Sequence, residues 1–281
     1  MFQEESFKIV VLSYFSKYLD QFRLNLDKAM EEYDPEAIHE YRVSVKRIRA
    51  VMRALDLAYN APLFPGRMIR PLRDMFKAGG TIRDDQVQIG LVENTERESG
   101  HTFPLIKNYY SERIENQRDS FFLKSIDFEY ESIDSIKLQV ENILDPLDDT
   151  ILETNLYNTL TASMEKLKRK RYDLDDPLNL HRFRTRFKEN GYVSEMIYQS
   201  KYSHRIGKTA YNRMKHFGLE LGNWHDHYQL WSKTAVIFQE SKNFDLLEEA
   251  LDLRKIIIPI HDKLFQEILH LLKRDDTIFS I

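Results

Sequence analysis

The chain holds 281 residues, 42% of them hydrophobic, with nine glycines and eight prolines, roughly half the average usage of these two. Such sparse turn formers argue against sandwiches, propellers and doubly wound sheets and in favour of long elements, while the apolar content excludes global disorder. The absence of cysteine removes disulfides, thiol nucleophiles and thiolate metal centres, and a formal charge of −4 (41 basic, 45 acidic) requires any anion site to come from local clustering of cations.

The first residues carry acids ahead of an apolar run and lack a basic region, so no signal peptide is expected. No window approaches ~18 apolar residues, which predicts no membrane span and a reducing cytoplasm as the location. Apolar residues at Ile9, Leu12, Phe15, Leu19, Phe22 and Leu26 predict a helix over Phe7–Glu32. Asp34-Pro35 reads as the cap and first-turn proline of a second helix, Pro35–Tyr59. Beyond the breaks at Asn60–Pro62 and Pro65-Gly66, a third is predicted at Arg67–Ala78. Gly79-Gly80-Thr81 reads as a turn, with Asp84 able to cap a fourth helix, Asp85–Ser99. Further helices are predicted at Pro104–Lys124, Ser132–Leu144, Asp148–Arg171, Leu178–Tyr202, Ile206–Leu221, Asp226–Glu240, Phe244–Ile258 and Pro259–Lys273. Only Ser125–Glu131 alternates in a mildly strand-like way. The acid-rich stretch 127–147 divides one domain, 1–281, into a first repeat, 1–126, and a second, 148–281.

Self-similarity supports that division. His39-Glu-Tyr-Arg42-Val-Ser-Val-Lys46 recurs 142 residues later as His181-Arg-Phe-Arg184-Thr-Arg-Phe-Lys188. The same offset carries Arg73, Gly80 and Asp84 onto Lys215, Gly222 and Asp226. Several ordered matches without a gap point to a duplicated helical unit.

On a helical wheel, His39, Arg42, Lys46, Arg49 and Arg53 share an arc of roughly 80° and span about 21 Å of helix, with no acid in that arc. Val45, Ile48, Val51, Met52 and Leu55 gather opposite. A charged stripe on one helix is ordinarily a solvated face, but solvated faces mix signs, and this one repeats His, Arg and Lys in both halves. Like charges on one line repel by a few tenths of a kcal/mol per neighbour. The pattern therefore suits a long anion lying along the stripe. The third helix adds Arg70, Arg73 and Lys77 on one face, and Arg83 follows the glycine turn. In the second half Lys208 and Lys215 share a face and His225 stands in the place of Arg83. Asp84 and Asp226 read as caps, or as carboxylates that hold a neighbouring cation.

The motif H-x-x-R-V-x-x-K-R-x-R at His39–Arg49, followed by Gly80-x-x-Arg83-Asp84, resembles the CHAD (conserved histidine α-helical) domain. His181, Arg184, Lys188, Tyr192, Lys215 and Gly222-x-x-x-Asp226 resemble that family's second unit, and the likeness covers nearly the whole chain. The resemblance implies an all-α fold of two pseudo-symmetric helical bundles facing each other across a basic groove or channel that binds inorganic polyphosphate. It implies a ligand-facing set of His39, Arg42, Lys46, Arg49, Arg73, Arg83, His181, Arg184, Lys188 and Lys215. The helix faces add Arg53, Lys77 and Lys208. No cofactor, metal, membrane or specific nucleic acid is implied, and the location is the cytoplasm, with polyphosphate granules as the family's association. Family members are often fused to a triphosphate-processing domain with a Glu-x-Glu-x-Lys strand. None is found here, so a stand-alone version is expected.

Two departures stand out. Where the family commonly has an Arg after the second Lys, this chain has Gly191, preceded by Asn190, a turn signal that predicts a kink or restart. Gly79 replaces a more usual Leu. Three rival readings remain at this point: a metal-dependent phosphohydrolase using His225-Asp226-His227 or the His39/His181 pair, an RNA-backbone binder, and a protein scaffold presenting Leu246–Leu272. The first conflicts with histidines set among cations, which repel a metal. The second conflicts with Tyr41, Phe183 and Phe187 falling on the apolar face, away from any base.

Overall fold

The computed structural model describes residues 6–32, 34–200 and 204–281, and among these every regular element is helical. In order they are α1 (Phe7–Glu32), α2 (Pro35–Ala58), α3 (Arg70–Ala78), α4 (Gly80–Ser99), α5 (Pro104–Ile126), α6 (Glu131–Leu144), α7 (Asp149–Lys170), α8 (Pro177–Tyr198), α9 (Lys208–Glu240) and α10 (Phe244–Arg274), then a 3₁₀ turn at Asp276–Phe279. Among the described residues no helix is long and apolar enough to cross a membrane.

The two motif-bearing helices begin alike. The Asp34 carboxylate accepts the Glu36 N–H at 2.9 Å ahead of Pro35, and Asp176 accepts the Leu178 N–H at 3.0 Å ahead of Pro177. Each aspartate satisfies an N–H that the first turn leaves orphaned, and each proline stands where no helical hydrogen bond is lost. Bounds recur at the 142-residue offset: α1 and α7 start at Phe7 and Asp149, α2 and α8 at Pro35 and Pro177. Helices so related also touch, α1 with α7, α2 with α8, α4 with α9 and α5 with α10. Contact between an element and its own counterpart is what a twofold axis between halves produces.

The largest core joins the halves. Phe15, Leu19 and Phe22 of α1 and Tyr41, Val45 and Ile48 of α2 pack with Leu152, Leu156, Val193 and Ile197 from beyond the acidic segment. A second cluster joins Val92, Ile106 and Tyr110 to Leu230, Ile237 and Leu253, again across the two halves. The acidic segment itself carries α6, whose Ile133, Ile136, Val140 and Leu144 are buried.

The expected breaks are fewer in the structure. Asn190-Gly191 does not restart α8, which runs on to Tyr198, and the Asn190 side chain is engaged laterally with α7: its Oδ1 accepts from Ser163 Oγ at 3.0 Å and its amide donates to Met164 Sδ at 3.3 Å. The helices expected at Ile206–Leu221 and Asp226–Glu240 are one helix, α9, so Asp226 caps nothing. Asp84 is likewise inside α4, whose hydrogen bonding already begins with Arg83 N–H to Gly79 C=O at 3.1 Å. Pro259 lies within α10. Burial of Ile257 and His261 on either side of it offsets the ~3 kcal/mol that an interior proline costs. Ser125–Glu131 pairs with no strand. Phe128 there packs on Phe22 with ring centroids 5.4 Å apart.

The first half does break where the second runs on, at a glycine whose missing side chain makes room for one hydroxyl. A Cβ at Gly79 would lie 1.6 Å from Tyr41 Oη, which is spent on the Met75 carbonyl at 3.4 Å. At the offset positions stand Phe183, without a hydroxyl, and Leu221, buried in the same cluster as Phe183. Tyrosine with glycine and phenylalanine with leucine are two solutions to one packing problem.

Candidate functional site

A cavity of about 590 Å³ opens between the halves, walled by α2, α4, α8 and α9 and floored in part by Phe76 of α3. Helical spacing brings His39, Arg42, Lys46 and Arg49 onto it from α2, and His181, Arg184 and Lys188 from α8. Arg83 and Asp84 reach it from α4, and His225 and Asp226 from α9. Six permanent cations thus meet three carboxylates, the third being Glu189.

The carboxylates do not cancel the cations. Asp84 stands 3.9 Å from the Arg42 guanidinium, while Lys46, Arg49, Arg83, Arg184 and Lys188 form no ion pair among the described residues. Arg42 is buried, donates to the Phe76 carbonyl and lies 4.3 Å above the Phe76 ring. Gly80 makes room for it, since a Cβ there would come within 2.8 Å of its terminal nitrogen. Lys46 extends over the same ring at 5.8 Å. Arg184 Nε is buried without a hydrogen-bond partner.

Electrostatics register the crowding. Lys46 is open to the cavity water, yet desolvation by the surrounding walls, then Arg42, Arg184 and Lys188, push its ammonium down to about 8. Desolvation and then Arg184 push Lys188 down to about 8 as well. His39 falls to about 4 through desolvation, then Arg83, Lys46, Lys188 and Arg42. His225 falls to about 2 through desolvation, then Arg184 and His181. Desolvation, then Arg184 and Arg182, lower His181 too. Contributions from both halves to Lys46 and His39 place their charges within one another's field. Asp226 is raised by desolvation against the pull of Arg184 and Lys188.

Eight of the expected residues line the cavity: His39, Arg42, Lys46, Arg49, Arg83, His181, Arg184 and Lys188. Arg53, Arg73, Lys77, Lys208 and Lys215 do not. Arg53 is one turn too far along α2 and faces Glu189 of α8 at 3.7 Å. Arg73 turns to Asp74 at 3.8 Å, Lys77 is exposed on α3, and Lys208 is exposed at the start of α9. Lys215 borders a separate recess of about 260 Å³ with Phe187, Tyr211 and Met214, joined to the cavity only through Lys188 and Tyr192. Sequence reasoning missed Phe76. Its position between Arg73 and Lys77 on the basic face was the available signal. It also missed Arg47, which lies within the α2–α8 contact between the rings of Tyr18 and Tyr192 and hydrogen-bonds Glu195 and Tyr14.

Among the described residues one group has metal-binding proximity: single donor atoms of Glu36, His39 and Glu40 lie within 4.8 Å of one another. The cations that lower His39 repel a metal at the same place.

The chain is thus an all-helical protein whose two halves enclose a cation-lined cavity. The family model of the CHAD domain matches residues 13–232, and the chain belongs to that family. Among solved structures it is similar to the CHAD domain from the plant Ricinus communis, with a TM-score of 0.75 at 17% identity, covering 97% of this chain and 93% of that one. That likeness is one of fold. No curated protein sequence matches.

Proposed function

We propose that the chain binds inorganic polyphosphate in this cavity without hydrolysing it, in the cytoplasm. The observation that carries the reading is the convergence of six cations from both halves on one cavity, with Arg42 alone among them having an ion-pair partner among the described residues. Polyphosphate offers regularly spaced charge and no sequence to read. Arginine gives it bidentate hydrogen bonds and lysine a compact point charge. Enzymatic turnover is disfavoured by the acids, since Asp84 leans on Arg42 and Asp226 on Arg184 and Lys188, instead of converging on one point. RNA is disfavoured by the aromatics: Tyr41, Phe183 and Phe187 are core, and Phe76 is covered by Arg42 and Lys46.

A gel-shift titration with polyphosphates of several lengths tests the reading. If six cations engage, counterion release by analogy with single-stranded nucleic acid gives a log–log salt slope of about −4, a loss of about 300-fold between 50 and 200 mM salt. A salt-independent affinity, or displacement by RNA at matched charge, would overturn it. Phosphate release abolished by EDTA would show an enzyme.

A further inference from the structure

The two halves differ inside the cavity. The places of Arg49 and Arg83 in the first half are taken by Gly191 and His225 in the second. The first half therefore supplies four permanent cations, Arg42, Lys46, Arg49 and Arg83, and the second only Arg184 and Lys188. What the second half has instead is an imidazole pair: His181 Nδ1 and His225 Nδ1 approach to 3.3 Å, with ring centroids 4.6 Å apart. At that distance one nitrogen carries a proton and the other accepts it, a contact that two neutral rings can make.

The surroundings hold the pair neutral while the cavity is empty. Arg182, Arg184 and Lys188 of α8 and Lys46 of α2 face it with positive charge. On α9 itself the neighbours are Asp226, adjacent in sequence, and Tyr228, whose ring centroid is 6.5 Å from that of His225. Behind them His261 of α10 stacks on Trp231 and meets Trp224, which separates it from the pair.

We infer that the His181–His225 pair is a proton-loaded cation site: a polyanion that enters the cavity brings a proton onto the pair, which completes the second half's positive charge only when ligand is present. This rests on the polyphosphate reading. An anion between the halves cancels the field of Arg184, Lys188 and Lys46 that opposes protonation. The added proton is then shared between two nitrogens already in contact. A second proton would set like charges against each other at that same distance, so uptake stops at about one. By linkage, a ligand that takes up one proton binds about tenfold more tightly for each unit fall in pH. Arginine at the same place would add nothing to that dependence.

Calorimetric titration of the full chain with long-chain polyphosphate at pH 6, in two buffers of different ionisation enthalpy, counts the protons. Long chains keep the terminal phosphates, which titrate near neutrality, a small fraction of the ligand. At pH 6 Lys46 and Lys188, at about 8, are already charged and contribute nothing to the count. The wild type should take up about one proton more than His181→Gln/His225→Gln or His225→Arg, and bind about tenfold more tightly at pH 6 than at pH 7. His225→Arg should lose that part of the pH dependence and keep only what His39, lowered in the same cavity, contributes. His181→Arg, whose fixed charge lies against His225, supplies the same comparison should neither of these variants fold. Equal proton uptake in wild type and folded variants would overturn the inference and leave the ligand standing. No binding by the folded wild type at any pH would overturn the ligand and the inference together.

Discussion

The crossing of α2 over α8 fixes the width of the cavity, and a single ion pair is expected to dominate it. Arg47 and Arg53 on α2 have Glu189 and Glu195 as counterparts 142 residues on, and the pairs form crosswise, Arg47 with Glu195 and Arg53 with Glu189. The two are not equal in environment. Arg47 and Glu195 are 17% and 16% exposed, and Arg53 and Glu189 are 47% and 28% exposed. Arg47→Met leaves the Glu195 carboxylate enclosed without its partner, and removing one member of a buried pair costs about 3–5 kcal/mol, reduced here to about 2–4 by the remaining water access. At ~2–4 °C per kcal/mol for a chain of this size, the melting temperature should fall by about 4–16 °C. Arg47→Met/Glu195→Met removes both charges, fills the space with apolar atoms and should recover most of that loss. Arg53→Met, at the exposed pair, should cost at most about 1 kcal/mol. Thermal melts followed by circular dichroism, assembled into a double-mutant cycle, measure the coupling. A double variant as unstable as the single one, or Arg53→Met as costly as Arg47→Met, would refute the reasoning.

Three further outcomes follow from the cavity. Lys46→Glu should abolish polyphosphate binding in the gel shift with little change in melting temperature, whereas Arg42→Glu should lose both, because it buries an acid beneath Phe76 and strips the Phe76 carbonyl of its donor. Without ligand at low salt, stability should rise as pH climbs from about 8 towards the ordinary lysine value: Lys46 and Lys188 are held at about 8 when folded, so over that range the unfolded chain binds more protons. Melts at pH 7.5 and 9.5 check the sign, and Lys46→Met/Lys188→Met should flatten the rise. Gly79→Ala should destabilise by about 1–3 kcal/mol through collision with Tyr41, with partial rescue by Tyr41→Phe, while Gly80→Ala should weaken binding by displacing the Arg42 tip and cost about 1 kcal/mol through the Phe76 carbonyl's lost hydrogen bond.

The helices were legible wherever periodicity and caps agreed, as at Asp34-Pro35, and six of the eight cavity residues were legible because two copies of one motif marked the same face, Arg49 following from the helical spacing and Arg83 from the glycine turn. What the sequence did not disclose was how far along each helix the cavity reaches. A wheel assigns Arg53 to the side of Lys46 and Arg49, but only the position of α8 determines that one more turn ends at Glu189. Lys215 fails for a related reason: it shares the offset with Arg73, yet neither lines the cavity. Local turn signals also misled where tertiary contacts outweighed them, at Asn190 through Ser163 and Met164 and at Pro259 through its buried neighbours. The effect of Gly79 required knowing which atom of Tyr41 it faces.

Desolvation limits how many permanent cations such a cavity can hold. Six already drive both lysines to about 8, so when the cavity is empty the molecule sits close to giving up part of the charge it uses to bind. Asp84 and Asp226 oppose that discharge, raising Lys46 and Lys188 respectively, at little cost in net attraction for a ligand bearing many charges. A further arginine in the place of His225 would add to the repulsion at all times, whereas an imidazole adds charge only once an anion has relieved it. The replacement of Arg by Gly at position 191 acts in the same direction. Positive charge in both halves thus depends in part on occupancy, through Lys46 and His39 in the first and Lys188 and the imidazole pair in the second, and a chain with a formal charge of −4 can carry a strong anion site without a permanently over-charged interior.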